Sequence, residues 1–243
     1  MNHSNDSIDQ LDSLSAMVAH AEVLKNRKEY LRAIKIYERA MELNPGDTFL
    51  IQRMALVTYK SRIPDSLHSL LAAQAILARL NPEDSIDPET LGLSGSINKK
   101  LFEETGKKIY FEKAFSFYNK GFQETDDYYN GINLAYLYLL KASMEEEADE
   151  AQVLFENANS TNKYIVSICA EVIASTDFAE RNDKEFIYQT LAQAHLGLDQ
   201  TREVIKLIPT INEVSKGSFD LDTFHKQNSK LIDALEKYKQ RRN

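Results

Sequence analysis

The chain has no tryptophan, one cysteine among 243 residues, and only 8 glycines and 5 prolines. Each shortage excludes something. A lone thiol, Cys169, cannot close an intramolecular disulfide, and without a CxxC or a Cys/His cluster there is no spacing to hold zinc, so a reducing compartment fits. Long apolar runs are also missing. The longest, 134–140, is far short of the roughly 20 residues that span a bilayer, and MNHSNDSIDQ at the start lacks a basic and apolar signal segment. A soluble, cytoplasmic protein is expected. Positive charge is in deficit too: the net charge of −8 would repel a phosphate backbone overall, so no nucleic-acid partner is expected.

What is present favours helix. Ala, Leu, Glu, Lys and Gln are plentiful, 43% of residues are apolar, and no stretch alternates long enough to make a strand. After a polar segment, 1–10, expected to be frayed, apolar periodicity and cap signals mark helices over 11–25 and 30–43. Asn44-Pro45-Gly46 stops the second, and Asp47 caps a third that runs to about 61. Pro64 suits the first turn of a fourth, ending at Asn81-Pro82. Asp87-Pro88-Glu89 reads as an N-cap, an N1 proline and an acid favourable to the dipole, opening a fifth over 88–104. Further helices follow at 109–123, from DDYYNGIN (126–133) to 142, at 146–158, 163–178, 183–195, 201–216, and from 221 to the basic end. The pattern predicts about twelve helices, paired as six antiparallel hairpins.

The hairpins repeat. Ala33, Tyr37, Ala40 and Pro45 stand at offsets of four, three and five; Ala114, Tyr118, Gly121 and Asp126 keep the same offsets; Ala151, Phe155 and Ala158 keep the first two. Small, aromatic, small at that spacing lies on one helical face, where small residues admit a neighbouring helix and the ring fills the space beside it. This is the second-helix half of a tetratricopeptide repeat (TPR). The first-helix half is degenerate: small residues fall at Ala21, Ala55, Gly95 and Ala135, while Met17, Ile51, Leu91 and Gly131 occupy the position usually held by tryptophan. The expected fold is all-α, a TPR-like superhelix forming one domain over 11–243. Gly131 costs its helix about 1 kcal/mol relative to alanine. Close approach of the preceding helix would offset that cost, though relaxation of a fraying first turn would also account for it. Asn133 would then face the concave side.

PETLGLSGSINKKLF (88–102) followed by AFSFYNKGFQETDDYYNGINLAYLYLL (114–140) resembles the tetratricopeptide-type central regulatory region of the apoptosis signal-regulating kinases, the TRAF-binding domain family, which also occurs in bacterial proteins. The closest agreement lies in Glu89 to Leu93, Gly121-Phe122 and Asp127 to Asn133. The resemblance implies a helical interaction module that regulates a neighbour by recruiting adaptors or positioning adjacent domains, and it implies no chemistry. No kinase signature or glycine-rich phosphate loop accompanies it, so a stand-alone module is expected, and binding of TRAF adaptors is not carried over.

Catalytic patterns are missing. His3, His20, His68, His195 and His225 are scattered singly outside any metal-ligand spacing, and GxSxG, GxGxxG, P-loop and EF-hand patterns do not occur. GLSGS (92–96) falls inside a helical pattern rather than after a strand, so it reads as helix and not as a phosphate turn. The acids Glu145 to Glu147, Asp149 and Glu150 read as a solvated helix start more simply than as a calcium site. Cys169, between Ile168 and Ala170, reads as core. No cofactor or metal is expected, and an all-helical hydrolase is the least favoured reading.

Repeat alignment turns Lys25, Arg53, Tyr59, Lys60, Lys99, Lys100, Asn133 and Tyr136 toward the concave face. A basic groove in an acidic protein suits a protein or peptide partner, with an extended acidic segment or a free C-terminus as ligand. The two-carboxylate clamp of chaperone-binding repeats is missing, because Glu22 stands where its lysine would precede Asn26. A homo-oligomeric structural protein, pairing through exposed array ends, is the alternative.

Overall fold

The computed structural model describes residues 13–215 and 220–242. The expectation for 1–10, with His3, lies outside them. Among the described residues there are eleven α-helices and no strand: α1 (Leu14–Asn26), α2 (Tyr30–Leu43), α3 (Thr48–Ser61), α4 (Ser66–Leu77), α5 (Pro88–Thr105), α6 (Lys108–Thr125), α7 (Tyr128–Met144), α8 (Ala148–Ala174), α9 (Lys184–Gly197), α10 (Thr201–Val214) and α11 (Asp220–Arg242). Short 3-10 turns follow α4 and α8. The fold divides into two compact units, up to Phe117 and from Tyr118 onward, the division falling inside α6.

The caps form where acids precede apolar runs. Asp47 accepts a hydrogen bond from the backbone N of Leu50 at 3.0 Å, and Asp87 from that of Thr90 at 2.8 Å with Pro88 at the first helical position. Each satisfies a donor that the helix start leaves open. The fourth helix departs from expectation. Pro64, which follows a cis peptide bond, stays outside, and α4 begins at Ser66, where Asp65 caps it through the backbone N of His68 at 2.9 Å.

In the first unit, α1 packs on α2, α2 on α3, α3 on α4, and α5 against both α3 and α4. Met17, Ala21 and Leu24 meet Ala33, Ile36, Tyr37 and Ala40, with Leu50, Met54 and Val57 completing the cluster. Ala33, Tyr37 and Ala40 are fully buried, as the small-ring-small stripe requires. Burying a large apolar side chain contributes about 1.5–3 kcal/mol. A second cluster joins Ala55, Leu70, Ala73, Leu77, Leu93, Ile97 and Leu101.

The second unit holds α7 to α11. Together with the end of α6 it contains the Gly121-Phe122 and Asn130-Gly131 pairs of the resembling stretch, which form a reciprocal fit. A Cβ added at Gly121 of α6 would stand 2.7 Å from the Asn130 amide of α7, and one added at Gly131 of α7 would stand 2.6 Å from the Phe122 ring and 2.4 Å from Ile165 Cδ1. Close approach, not fraying, is therefore what Gly131 provides.

The helices expected over 146–158 and 163–178 are one 27-residue helix, α8, which lowers the count to eleven. Asn159-Ser160-Thr161-Asn162 resembles a turn, yet the buried stripe Ala151, Ala158, Asn162, Ile165 and Cys169 runs through it without a break. Tertiary burial outweighs the weak helix preference of those residues. The first half of α8 packs with α7 and α11 and the second with α9, whose Gly197 lies against Asn162. With α8 continuous, α11 stands alone rather than completing a sixth hairpin. Leu231, Ala234, Leu235 and Tyr238 of α11 turn inward, while Asp233, Glu236, Lys237 and Lys239 face solvent, the two-sided pattern of a capping helix. Phe155 and Tyr238 stack at 4.2 Å between centroids.

Candidate functional site

Six of the eight expected contact residues lie on the first helices of the first unit: Lys25 on α1, Arg53, Tyr59 and Lys60 on α3, Lys99 and Lys100 on α5. Arg53 is their hub. Its Nη1 donates to Glu89 Oε1 of α5 at 3.1 Å, its Nε stands 3.4 Å from Glu22 Oε1 of α1 as a charge contact without hydrogen-bond alignment, and its guanidinium carbon sits 4.8 Å above the Phe49 ring. One cation therefore ties three helices together. Glu22 also accepts from Lys25 Nζ and from the buried Tyr37 hydroxyl. Burial pushes the Glu22 carboxyl up, but the bonds from Lys25 and Tyr37 and the charges of Lys25 and Arg53 prevail and leave it below its ordinary value. It stays ionised near neutral pH.

Lys100 Nζ lies 6.0 Å from the centre of the Tyr59 ring, a second cationic and aromatic pairing on this face. Lys60 is half-buried and Lys99 is only 8% exposed. Asn133 and Tyr136 belong to the second unit. Asn133 is 6% exposed and its Nδ2 donates to the backbone O of Tyr129 at 2.8 Å, while Tyr136 is partly buried beside Leu139 and Ala142. Sequence reasoning missed Phe49, Glu22 and Glu89 as members of this surface. The Glu22 to Lys25 spacing of three was the available signal for one of them.

Features that suggested chemistry are occupied structurally. Cys169 is fully buried and its thiol is pushed up to about 12 by burial. GLSGS lies within α5. Glu145 Oε1 accepts from the backbone N of Glu146 and Glu147. His68 Nδ1 lies 2.7 Å from Asp65 Oδ2 and His195 Nδ1 2.7 Å from Gln200 Oε1. Among the described residues no three His, Cys, Asp or Glu side chains cluster to hold a metal, and no helix is long and apolar enough to cross a membrane.

The stacked hairpins with buried small-ring-small stripes define an all-α, TPR-like helical repeat, a fold that generally mediates contacts between proteins. Residues 29–138 match the family described as Tetratricopeptide Repeats-Sensor, so a TPR-type domain is present. A thermophilic TPR protein of Thermus thermophilus is similar in fold, with a TM-score of 0.59 at 15% identity over 90% of this chain and 99% of that one. A putative kinesin light chain of Podosopora anserina with nearly identical TPR-like repeats gives 0.43 at 14% identity, over 85% of this chain and 98% of that one. No curated protein matches the sequence.

Proposed function

We propose that this protein is a non-catalytic regulatory module that binds an extended, acidic segment of a partner protein along the α1, α3 and α5 face of its first unit. The carrying observation is Arg53, 24% exposed, stacked on Phe49 and held from both sides by Glu22 and Glu89. A guanidinium already oriented loses little freedom when a carboxylate docks, which favours affinity. With Arg53, Lys25, Lys60 and Lys100 stand against Glu22 and Glu89 on this face, more basic than acidic groups despite the acidic composition of the whole. The resemblance to the TRAF-binding domain family and the word Sensor in the matched description support a regulatory role.

Acidic peptides titrated at two salt concentrations test this reading. Binding should weaken at higher salt, and the Lys60→Glu/Lys100→Glu variant should lose about tenfold, since charges with partial access to solvent act through a screened field. Lys99 is unsuitable for charge reversal because it is buried. Affinity indifferent to both salt and reversal removes the proposal.

A second copy of the protein is the rival partner, favoured by Ile205 and Ile208, exposed 59% and 45% and spaced for neighbouring positions on α10. Light scattering across a dilution series separates the two, because a concentration-independent monomer excludes an obligate oligomer.

A further inference from the structure

Arg53 makes less use of its guanidinium than the group allows. Of the five N–H groups a guanidinium carries, one at Nη1 donates to Glu89 Oε1 at 3.1 Å, while Nε, although buried, donates to nothing. Glu22 Oε1, 3.4 Å from that Nε, supplies charge without the alignment of a hydrogen bond. The pairing with Glu89 is therefore single-pronged. A carboxylate that accepts two parallel N–H bonds holds a guanidinium more strongly than one that accepts a single bond, and the Phe49 ring, 4.8 Å from the guanidinium carbon, supports the donors from below.

The two acids around Arg53 are held with unequal firmness. The Glu22 side chain is 28% exposed and accepts from Lys25 Nζ and from the buried Tyr37 hydroxyl, so it keeps its place without help from Arg53. The Glu89 side chain is 49% exposed, and among the described residues it pairs with Arg53. Nor does the junction of α3 with α5 depend on that pair. Gln52, 6% exposed, donates from Nε2 to Asp87 Oδ2 at 2.7 Å and to Thr90 Oγ1 at 2.9 Å, tying the same two helices together. In the first turn of α5 an ionised Glu89 stays favourable to the helix dipole wherever its carboxylate points. An exposed ion pair of this kind is worth about fivefold or less in an equilibrium constant, so it exchanges readily.

We propose that Glu89 is an internal stand-in for the partner's carboxylate: it occupies Arg53 until an acidic segment arrives, then swings into solvent while that segment takes the guanidinium with two prongs. The inference rests on the acidic-segment reading above and adds that the protein's own acid competes for the site. Glu22 remains as the fixed support. The consequence is selectivity, because a ligand group that makes one contact with Arg53 only replaces what Glu89 already supplies, whereas a two-pronged carboxylate gains a bond.

Fluorescence anisotropy with the full-length protein and a dye-labelled peptide of alternating glutamate and serine tests this, at about 20 mM salt so that weaker variants stay measurable. Glu89→Gln removes the competitor and should tighten binding about fivefold. Loss of a negative charge would also favour an acidic peptide through the general field, so the comparison is repeated without the guanidinium. Arg53→Met should bind more weakly than the wild type, and adding Glu89→Gln to it should change affinity by less than about twofold, since nothing is left to compete for; a field effect would persist. Arg53→Gln serves instead if circular dichroism shows Arg53→Met misfolded. Peptide binding without a gain from Glu89→Gln, or a gain that survives the loss of Arg53, overturns the stand-in and leaves the acidic-segment reading in force. Binding by neither the wild type nor Glu89→Gln overturns both.

Discussion

Replacing Gly131 with alanine sets two known effects against each other. In an isolated helix the change is favourable by about 1 kcal/mol, because alanine loses less backbone freedom. Here the new Cβ would stand 2.4 Å from Ile165 Cδ1 and 2.6 Å from Phe122 Cε2, where ordinary carbon contacts lie at about 3.5–4.0 Å. Ile165 is fully buried and has no solvent to retreat into. Overpacking of this kind costs about 1–3 kcal/mol, so the expected outcome is net destabilisation of about 1 kcal/mol. Ile165→Val alone removes a buried methyl and costs about 1 kcal/mol. In the double variant the added Cβ occupies part of the vacated space, so the two costs should fall short of their sum by about 0.5 kcal/mol or more. Urea unfolding followed by far-UV circular dichroism suits a protein without tryptophan, and amide exchange in α7 locates the effect in the second unit. If Gly131→Ala raises stability by the full propensity gain, the close approach is not real.

Three further outcomes are expected. Ser160→Pro, at an exposed position near the middle of α8, should cost about 3 kcal/mol in urea unfolding because the helix is continuous there, whereas a turn at Asn159 to Asn162 would absorb it at little cost. Cys169 should resist alkylation at neutral pH while the protein is folded and react once it unfolds, since burial raises the thiol to about 12; rapid native labelling would contradict its burial. Asp183 accepts from Arg181 at 2.6 and 2.8 Å and from the Tyr128 hydroxyl at 2.7 Å, and the Arg181 bond leads the effects that hold its carboxyl below the ordinary value. A carboxyl lowered on folding stabilises above its unfolded pKa of about 3.9 and ceases to as pH falls through the folded value, so urea midpoints should drop below about pH 4, and less steeply in Asp183→Asn.

Local chemistry was legible where a feature depends on its own neighbours in sequence. Asp47 and Asp87 cap as their positions indicate, and Ala33, Tyr37, Ala40, Ala114 and Tyr118 are buried because a stripe at offsets of four and three must face one way. The failures share another cause. Asn159 to Asn162 prefer caps and turns in isolation, and only the packing of α7, α9 and α11 along α8 overrides them. Lys99 and Asn133 occupy repeat positions that are open in a sparse array, but α5 is enclosed on every side from Thr90 to Lys99. Its polar residues turn inward on the helix itself, Ser94 Oγ donating to the backbone O of Thr90 at 2.8 Å and Asn98 Nδ2 to that of Ser94. Periodicity reports which face a helix hides first, and is silent on what later covers the other.

The same distinction governs what the family resemblance can say about function. Its most specific residues, Gly121-Phe122 and the Asn130-Gly131 pair, are spent on one another: each glycine vacates space that the other helix fills with a larger side chain. Substituting any of the four disturbs the seating of α6 on α7 before it disturbs a partner. A motif consumed in packing transmits a fold and leaves the ligand unspecified. Under the function proposed above, partner choice rests instead on groups outside that packing, such as Arg53 on Phe49 and Lys100 near Tyr59, whose identities the repeat pattern does not constrain. Two proteins can share the GF and NG pairs and still bind unlike partners, because the energy that aligns their helices and the energy that selects a ligand reside in different side chains.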